Sequence, residues 1–168
     1  LSTMSQPPNT LPSQGSKKYP ESADTVIFPE WLIPVAPRGM VLTDYAVAIT
    51  DARITAIVPA PQGREIATDN ALELPGHALL PGLINMHGHA GMSLLRGYAD
   101  DTPLMPWLEQ HIWPAESEHV GPEFVRDGSD LAIAEMLLAG TTCFSDMYFF
   151  PNVVAEQCLH AGIRCQLT

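Results

Sequence analysis

Short apolar runs dominate the first half of the chain, and longer segments with helical spacing follow residue 80. From Asp24 onward, Thr25-Val26-Ile27-Phe28, Leu32-Ile33-Pro34-Val35, Tyr45-Ala46-Val47-Ala48-Ile49 and Arg53-Ile54-Thr55-Ala56-Ile57-Val58 read as β-strands. Gly, Pro and Asp punctuate them, as residues that suit turns and interrupt regular pairing. Asp51-Ala52, between the last two runs, reads as a hairpin connection. The pattern predicts a small β-rich module that ends near Leu80.

Beyond it, Leu79–His87 is a strand candidate. Residues 90–121 are mixed, and Pro103, Pro106 and Pro114 are expected to break any long helix, because proline lacks the N–H that a helix interior needs. Pro122-Glu123-Phe124 opens a predicted helix that runs to about Ala139. Proline suits the first turn, Glu123 the positive N-terminal end, and Gly140 the stop. Its apolar positions Phe124, Leu131, Met136 and Leu138 are roughly helical in spacing. Thr141–Met147 reads as a second strand, Asn152–Ala161 as a second helix stopped by Gly162, and Ile163–Leu167 as the start of a third strand. Alternating strands and helices imply parallel strands with right-handed crossovers, hence an α/β fold. Three parallel strands leave an open edge, and a (β/α)8 barrel takes at least about 200 residues. Two outcomes stay open: a small open α/β fold, or the front part of a larger one.

Residues 1–23 lack hydrophobic periodicity, are rich in Pro, Ser, Gln and Asn, and read as a disordered tail. Met4 is a better initiator than Leu1, and the start has neither the basic nor the apolar region of a secretory signal. No stretch approaches the roughly 18 unbroken apolar residues of a membrane span. The net charge of −11 argues against nucleic acid and anionic membranes as partners, since phosphates repel such a surface. It leaves a small neutral substrate open. Cys143, Cys158 and Cys165 form no CxxC pair, so buried reduced thiols in a cytoplasmic protein are expected rather than a structural zinc site or disulfides.

The sharpest chemical signal is the pair His87 and His89. On a strand over 79–89 both point to one face, with Cα atoms about 6.5–7 Å apart. Two imidazoles so placed can converge on one metal ion, and neutral imidazole suits zinc, iron and nickel. The pair ends a buried strand, where α/β proteins build their sites. An H-x-H triplet alone is a weak signal in a chain with 6 histidines. Asp146, at the end of the second strand, is a candidate to orient a first-strand histidine through a hydrogen bond, with a turn or capping role as the alternative. Arg96 with Asp100 and Asp101 reads as a structural ion-pair network. Trp107 and Trp113 are expected in the core, with a pocket wall as the alternative. His160 suits the last turn of its helix, and His77, His111 and His119 have no partner at ligand spacing.

Pro81-Gly82-Leu83-Ile84-Asn85-Met86-His87-Gly88-His89 resembles the first-strand signature of the amidohydrolase superfamily. Three further stretches narrow the likeness: Met92-Ser93-Leu94-Leu95-Arg96-Gly97-Tyr98-Ala99-Asp100-Asp101, Pro106-Trp107-Leu108, and Ile112-Trp113-Pro114-Ala115-Glu116. They resemble the deaminase branch that acts on 5′-methylthioadenosine and S-adenosylhomocysteine, with s-triazine and chlorohydrolase-like enzymes as near relatives. Gly140-Thr141-Thr142-Cys143-Phe144-Ser145-Asp146-Met147 is similar to the second barrel strand of the same group.

The resemblance implies a metal-dependent (β/α)8 barrel with an accessory β-sandwich. Residues 24–80 would be a portion of the sandwich and residues 81–168 the first βα units of an incomplete barrel. It implies His87 and His89 as ligands of one divalent metal, Zn2+ with iron or manganese as alternatives, and Glu116 as a contact to the ribose hydroxyls of a purine nucleoside. A carboxylate suits that task because it accepts two hydrogen bonds from a vicinal diol. The implied reaction is hydrolytic deamination to the inosine-type product and ammonia by metal-activated hydroxide. No catalytic acid or base is expected within this chain, since the family draws those groups from later strands. The alternatives are a guanine deaminase, an s-triazine or chlorohydrolase-like enzyme, and an inactive truncated fragment. A homo-oligomer is compatible with all of them.

Overall fold

The computed structural model describes residues 19–168. They form two compact units that divide between Pro81 and Gly82.

The first unit holds one mixed sheet with strand order β3-β2-β1-β4. Strand β1 (Thr25–Leu32) pairs antiparallel with β2 (Tyr45–Thr50), and β2 pairs antiparallel with β3 (Arg53–Pro59). The hairpin expected at Asp51-Ala52 is present. Both residues have positive φ, 50° and 58°, as a two-residue turn matched to strand twist requires. A short helix α1 (Ala60–Gly63) leads to β4 (Ala71–Leu79), which runs parallel to β1. The run expected at 25–28 extends as one strand to Leu32, and Ile33-Pro34-Val35 forms no strand.

Side chains alternate across this sheet. Val26, Phe28, Ala46 and Ala48 bury on one side with Ile66, and Val47 buries on the other with Leu32, Met40 and Leu42. A β-carbon on Gly63 would lie 2.5 Å from that of Ala46, so α1 lies close against β2. The tail expected over residues 1–23 lies outside the described residues up to Lys18. Residues 19–23 are packed: Tyr19 donates a hydrogen bond to Glu65, Ser22 bridges to Ala67, and Ala23 joins the core.

In the second unit, β5 (Leu83–Asn85), β6 (Thr141–Asp146) and β7 (Arg164–Leu167) form a parallel sheet in that order. Five helical elements link β5 to β6. A 3-10 turn (Ala90–Leu95) comes first, followed by helix α2 (Leu104–Trp107), a π turn (Leu108–Ile112) and helix α3 (Trp113–His119). Helix α4 (Pro122–Leu138) then packs on the 3-10 turn. Helix α5 (Pro151–Ala161) links β6 to β7, and Gly162 ends it at φ 71°.

Three expectations need correction here. The prolines do not break residues 104–119: Pro103 precedes α2, Pro106 lies within its first turn, and Pro114 opens α3 after the π turn. Proline is tolerated at Pro103 and Pro106 because N–H groups at a helix start lack an intrahelical partner anyway, and Pro114 follows the π turn, where the regular ladder is already interrupted. The inward stripe of α4 is Val125, Gly128, Ser129, Ala132 and Ile133, the i, i+3, i+4, i+7, i+8 pattern of one helix face. Leu131 and Leu138 lie on the exposed side. The core of this unit gathers that stripe with Ala90, Phe144, Val154, Cys158 and Ile163. Of the three cysteines, all free, only Cys158 is buried; Cys143 and Cys165 are half-buried. No helix among the described residues is long and apolar enough to cross a membrane.

Candidate functional site

The strand expected over Leu79–His87 is two strands with a break between them. Leu79 ends β4, and β5 covers only Leu83–Asn85. His87 and His89 therefore stand past the strand end, and strand alternation is not what brings them together. Local hydrogen bonds do so. The His87 amide donates to Asn85 Oδ1 at 3.2 Å. The Met147 amide donates to the Gly88 carbonyl at 3.1 Å, which ties the segment to the end of β6. A β-carbon on Gly88 would lie 3.2 Å from the Ser145 carbonyl oxygen, so the missing side chain permits that approach. The outcome is a pair of imidazoles with ring centroids 5.0 Å apart, edge to face at 81°.

His89 is oriented further. Its Nδ1 lies 2.7 Å from the Met147 carbonyl oxygen. A carbonyl only accepts, so Nδ1 carries the proton and Nε2 the free lone pair. A metal-binding histidine uses such a partner to fix its ring. Asp146 does not take that part. Its buried carboxylate accepts from the Ala90 amide at 2.6 Å, fixing the backbone where the 3-10 turn begins. Burial raises the Asp146 pKa, and the Ala90 hydrogen bond opposes that rise.

The residues present fit zinc as two imidazole donors, half of the four-coordinate set it prefers. Among the described residues no group of three or more His, Cys, Asp or Glu side chains stands close enough to hold a metal.

Glu116, on α3, is half-buried and accepts a hydrogen bond from the Tyr148 hydroxyl at 2.7 Å. It lines a cavity of about 330 Å³ together with His89, Met92, Met147, Tyr148 and Phe149. The cavity thus has an imidazole and a carboxylate on a mostly apolar wall. Burial pushes the Tyr148 phenol far above its usual pKa, helped by the Glu116 hydrogen bond and by the charges of Glu116 and Asp146. Tyr148 stays protonated and acts as a donor. The sequence alone gives no sign of it, because its contact joins segments 32 positions apart.

A second cavity of about 340 Å³ opens on another side of His89, among Asn85, Ala132, Glu135 and Met136 of β5 and α4. Arg96 meets Glu135 there through two contacts of 2.7 and 2.5 Å, so the expected network with Asp100 and Asp101 is replaced by a pair to α4. Trp113 is half exposed rather than a core residue. Trp107 is half-buried and donates from Nε1 to the Tyr98 carbonyl at 2.9 Å. His111 stacks edge-on with Tyr98.

The chain is 52% identical over 147 residues to a 5-methylthioadenosine/S-adenosylhomocysteine deaminase of Saccharophagus degradans, covering 86% of this chain and 33% of that protein. It is 53% identical over 138 residues to the deaminase of the same name from Teredinibacter turnerae, covering 82% and 31%. Among solved structures, it matches the crystal structure of an adenosine deaminase from Xanthomonas campestris with bound zinc at a TM-score of 0.84 and 48% identity, covering 87% of this chain and 34% of that one. The chain spans about a third of the length of these relatives. The sequence pattern of the amidohydrolase family matches residues 78–168. That match takes in more than half of the sequence, both histidines included, and the chain belongs to the amidohydrolase family.

Proposed function

We propose that this chain supplies the first part of a hydrolase that deaminates adenosine-type nucleosides, with 5′-methylthioadenosine and S-adenosylhomocysteine as substrates and an inosine-type product and ammonia as products. The observation that carries this reading is the cavity shared by His89 and Glu116. One wall offers an imidazole lone pair and another a carboxylate oxygen, and the rest is apolar enough to take a purine and a thioether. The deaminase names of relatives above 50% identity support the same substrate class.

In this reading His87 and His89 hold a divalent metal, and zinc is supported by the zinc-bound relative. What such a metal supplies is a water acidified from far above neutrality to a pKa of about 7. The chain's own residues do the rest of what is proposed here. The Met147 carbonyl keeps Nδ1 of His89 protonated, so Nε2 is the donor. Glu116 accepts hydrogen bonds from the ribose hydroxyls and so places the base. Met92, Met147 and Phe149 supply the apolar part of the cavity wall. The acid and base that move protons belong to segments beyond β7. Half-buried reduced thiols and a net charge of −11 support a cytoplasmic enzyme without nucleic-acid or membrane partners.

The second unit is read as the opening of a (β/α)8 barrel and the first as a portion of its accessory β-sandwich. The parallel order β5-β6-β7 supports this. So do the exposed apolar side chains Leu83, Ile84 and Met86 on and beside the edge strand β5, a surface that asks for further strands.

The test is Glu116→Ala in the full-length enzyme. The kcat/KM for 5′-methylthioadenosine is expected to fall by about 10²-fold or more, as for loss of a charge-assisted contact to substrate. A ribose-free amino-triazine or guanine should respond little. An equal loss on both substrate types, or turnover confined to the ribose-free ones, overturns the nucleoside reading in favour of a guanine- or triazine-type enzyme.

A further inference from the structure

Tyr148 lies on the loop between β6 and α5, and 32 positions separate it from Glu116 in sequence. Its hydroxyl nonetheless meets Glu116 Oε1 at 2.7 Å in a half-buried setting. The ring that carries the hydroxyl is fixed on several sides. Its centroid is 6.3 Å from that of His89, and Phe149 stands edge-on at 5.1 Å. Gly91 closes a further side: a β-carbon there would lie 2.7 and 2.8 Å from two ring carbons of Tyr148. The ring therefore occupies space that only a glycine at 91 leaves.

A carboxylate turns easily about its last bond, because that torsion has broad, shallow wells. A donor held at one oxygen stops the turning and fixes the plane of the group. The bond to Tyr148 uses Oε1 and leaves Oε2 for a ligand. Ionised acceptors make hydrogen bonds roughly twice as strong as neutral ones, so this contact is strong enough to set the rotamer.

We propose that Tyr148 is the positioning residue for Glu116, holding one carboxylate oxygen so that the other meets a hydroxyl of the sugar, and thereby sets the preference for ribonucleosides over deoxy analogues. This rests on the reading of Glu116 as the ribose contact. Tyr148 touches the substrate's sugar only through Glu116. Through its packing beside His89 it also keeps the sugar contact and the metal-side imidazole in one frame.

The experiment compares 5′-methylthioadenosine with its 2′,3′-dideoxy counterpart in the full-length, zinc-loaded enzyme, for the wild type, Tyr148→Phe, Glu116→Gln and the double variant. Tyr148→Phe keeps the ring and removes only the hydroxyl. The ratio of kcat/KM values for the two substrates is expected to fall about tenfold in Tyr148→Phe, carried mainly by KM for the ribonucleoside. The double variant should lose no more discrimination than Glu116→Gln alone, as for two residues acting through one contact. Equal losses on both substrates, or a ratio unchanged from wild type, overturn the positioning role while the ribose reading of Glu116 stands. A wild type with no preference between the substrates overturns both.

Discussion

A β-carbon on Gly128 of α4 would lie 2.3 Å from the carbonyl oxygen of Gly91, so the helix and the 3-10 turn touch backbone to backbone. Gly91 in turn bears on the Tyr148 ring. Three residues distant in sequence thus form one stack, from the inward face of α4 to the wall of the His89 cavity. In an ordinary helix interior Gly→Ala gains up to about 1 kcal/mol. Here Gly128→Ala is expected to destabilise by about 1–3 kcal/mol, because backbone cannot yield as a flexible side chain can. The urea midpoint of the full-length protein checks the sign, and a rise in midpoint contradicts the contact.

Ser129, next along the same stripe, is fully buried, and its hydroxyl has no hydrogen-bond partner. A buried hydroxyl without a partner costs free energy. Ser129→Ala is therefore expected to stabilise, by up to about 1 kcal/mol, at nearly constant volume. Paired with Gly128→Ala in the same unfolding assay, it gives two neighbouring substitutions to alanine with opposite signs.

Cys158 should be the slowest of the cysteines to alkylate. Burial, with Cys165 beside it, pushes its thiol up to about 12, so little of it is the reactive thiolate at pH 8. Peptide mass mapping after brief iodoacetamide treatment of the native protein should show Cys143 and Cys165 modified first. Early modification of Cys158 contradicts its burial at the α5–β7 junction.

The arrangement of elements was legible where turn chemistry and periodicity agree. Asp51-Ala52, Gly140 and Gly162 mark a hairpin and two helix ends, and the elements they bound lie within a few residues of expectation. Strand β4 was missed because Pro75 and Gly76 interrupt it and most of its side chains are exposed, so it carries no alternation. The buried face of α4 was misread because its inward residues are small. Leucines drew the eye outward, and the backbone contact at Gly128 leaves no apolar signal. At the candidate site, the spacing of the two histidines singles them out, although loop hydrogen bonds rather than strand alternation bring them together. Tyr148 and the Met147 carbonyl were out of reach, since each acts through a contact between distant segments that only the fold creates.

The decisive assay is ammonia release from 5′-methylthioadenosine by the full-length enzyme, with zinc content measured on the same samples, for wild type, His87→Ala and His89→Ala. Wild type should turn over the nucleoside with stoichiometric zinc, and each variant should lose zinc and at least about 10² in turnover, since even partners of metal ligands cost 10–100-fold when removed. A wild type that releases no ammonia, or variants that keep both zinc and turnover, would contradict the assignment of this histidine pair to a deaminase metal site.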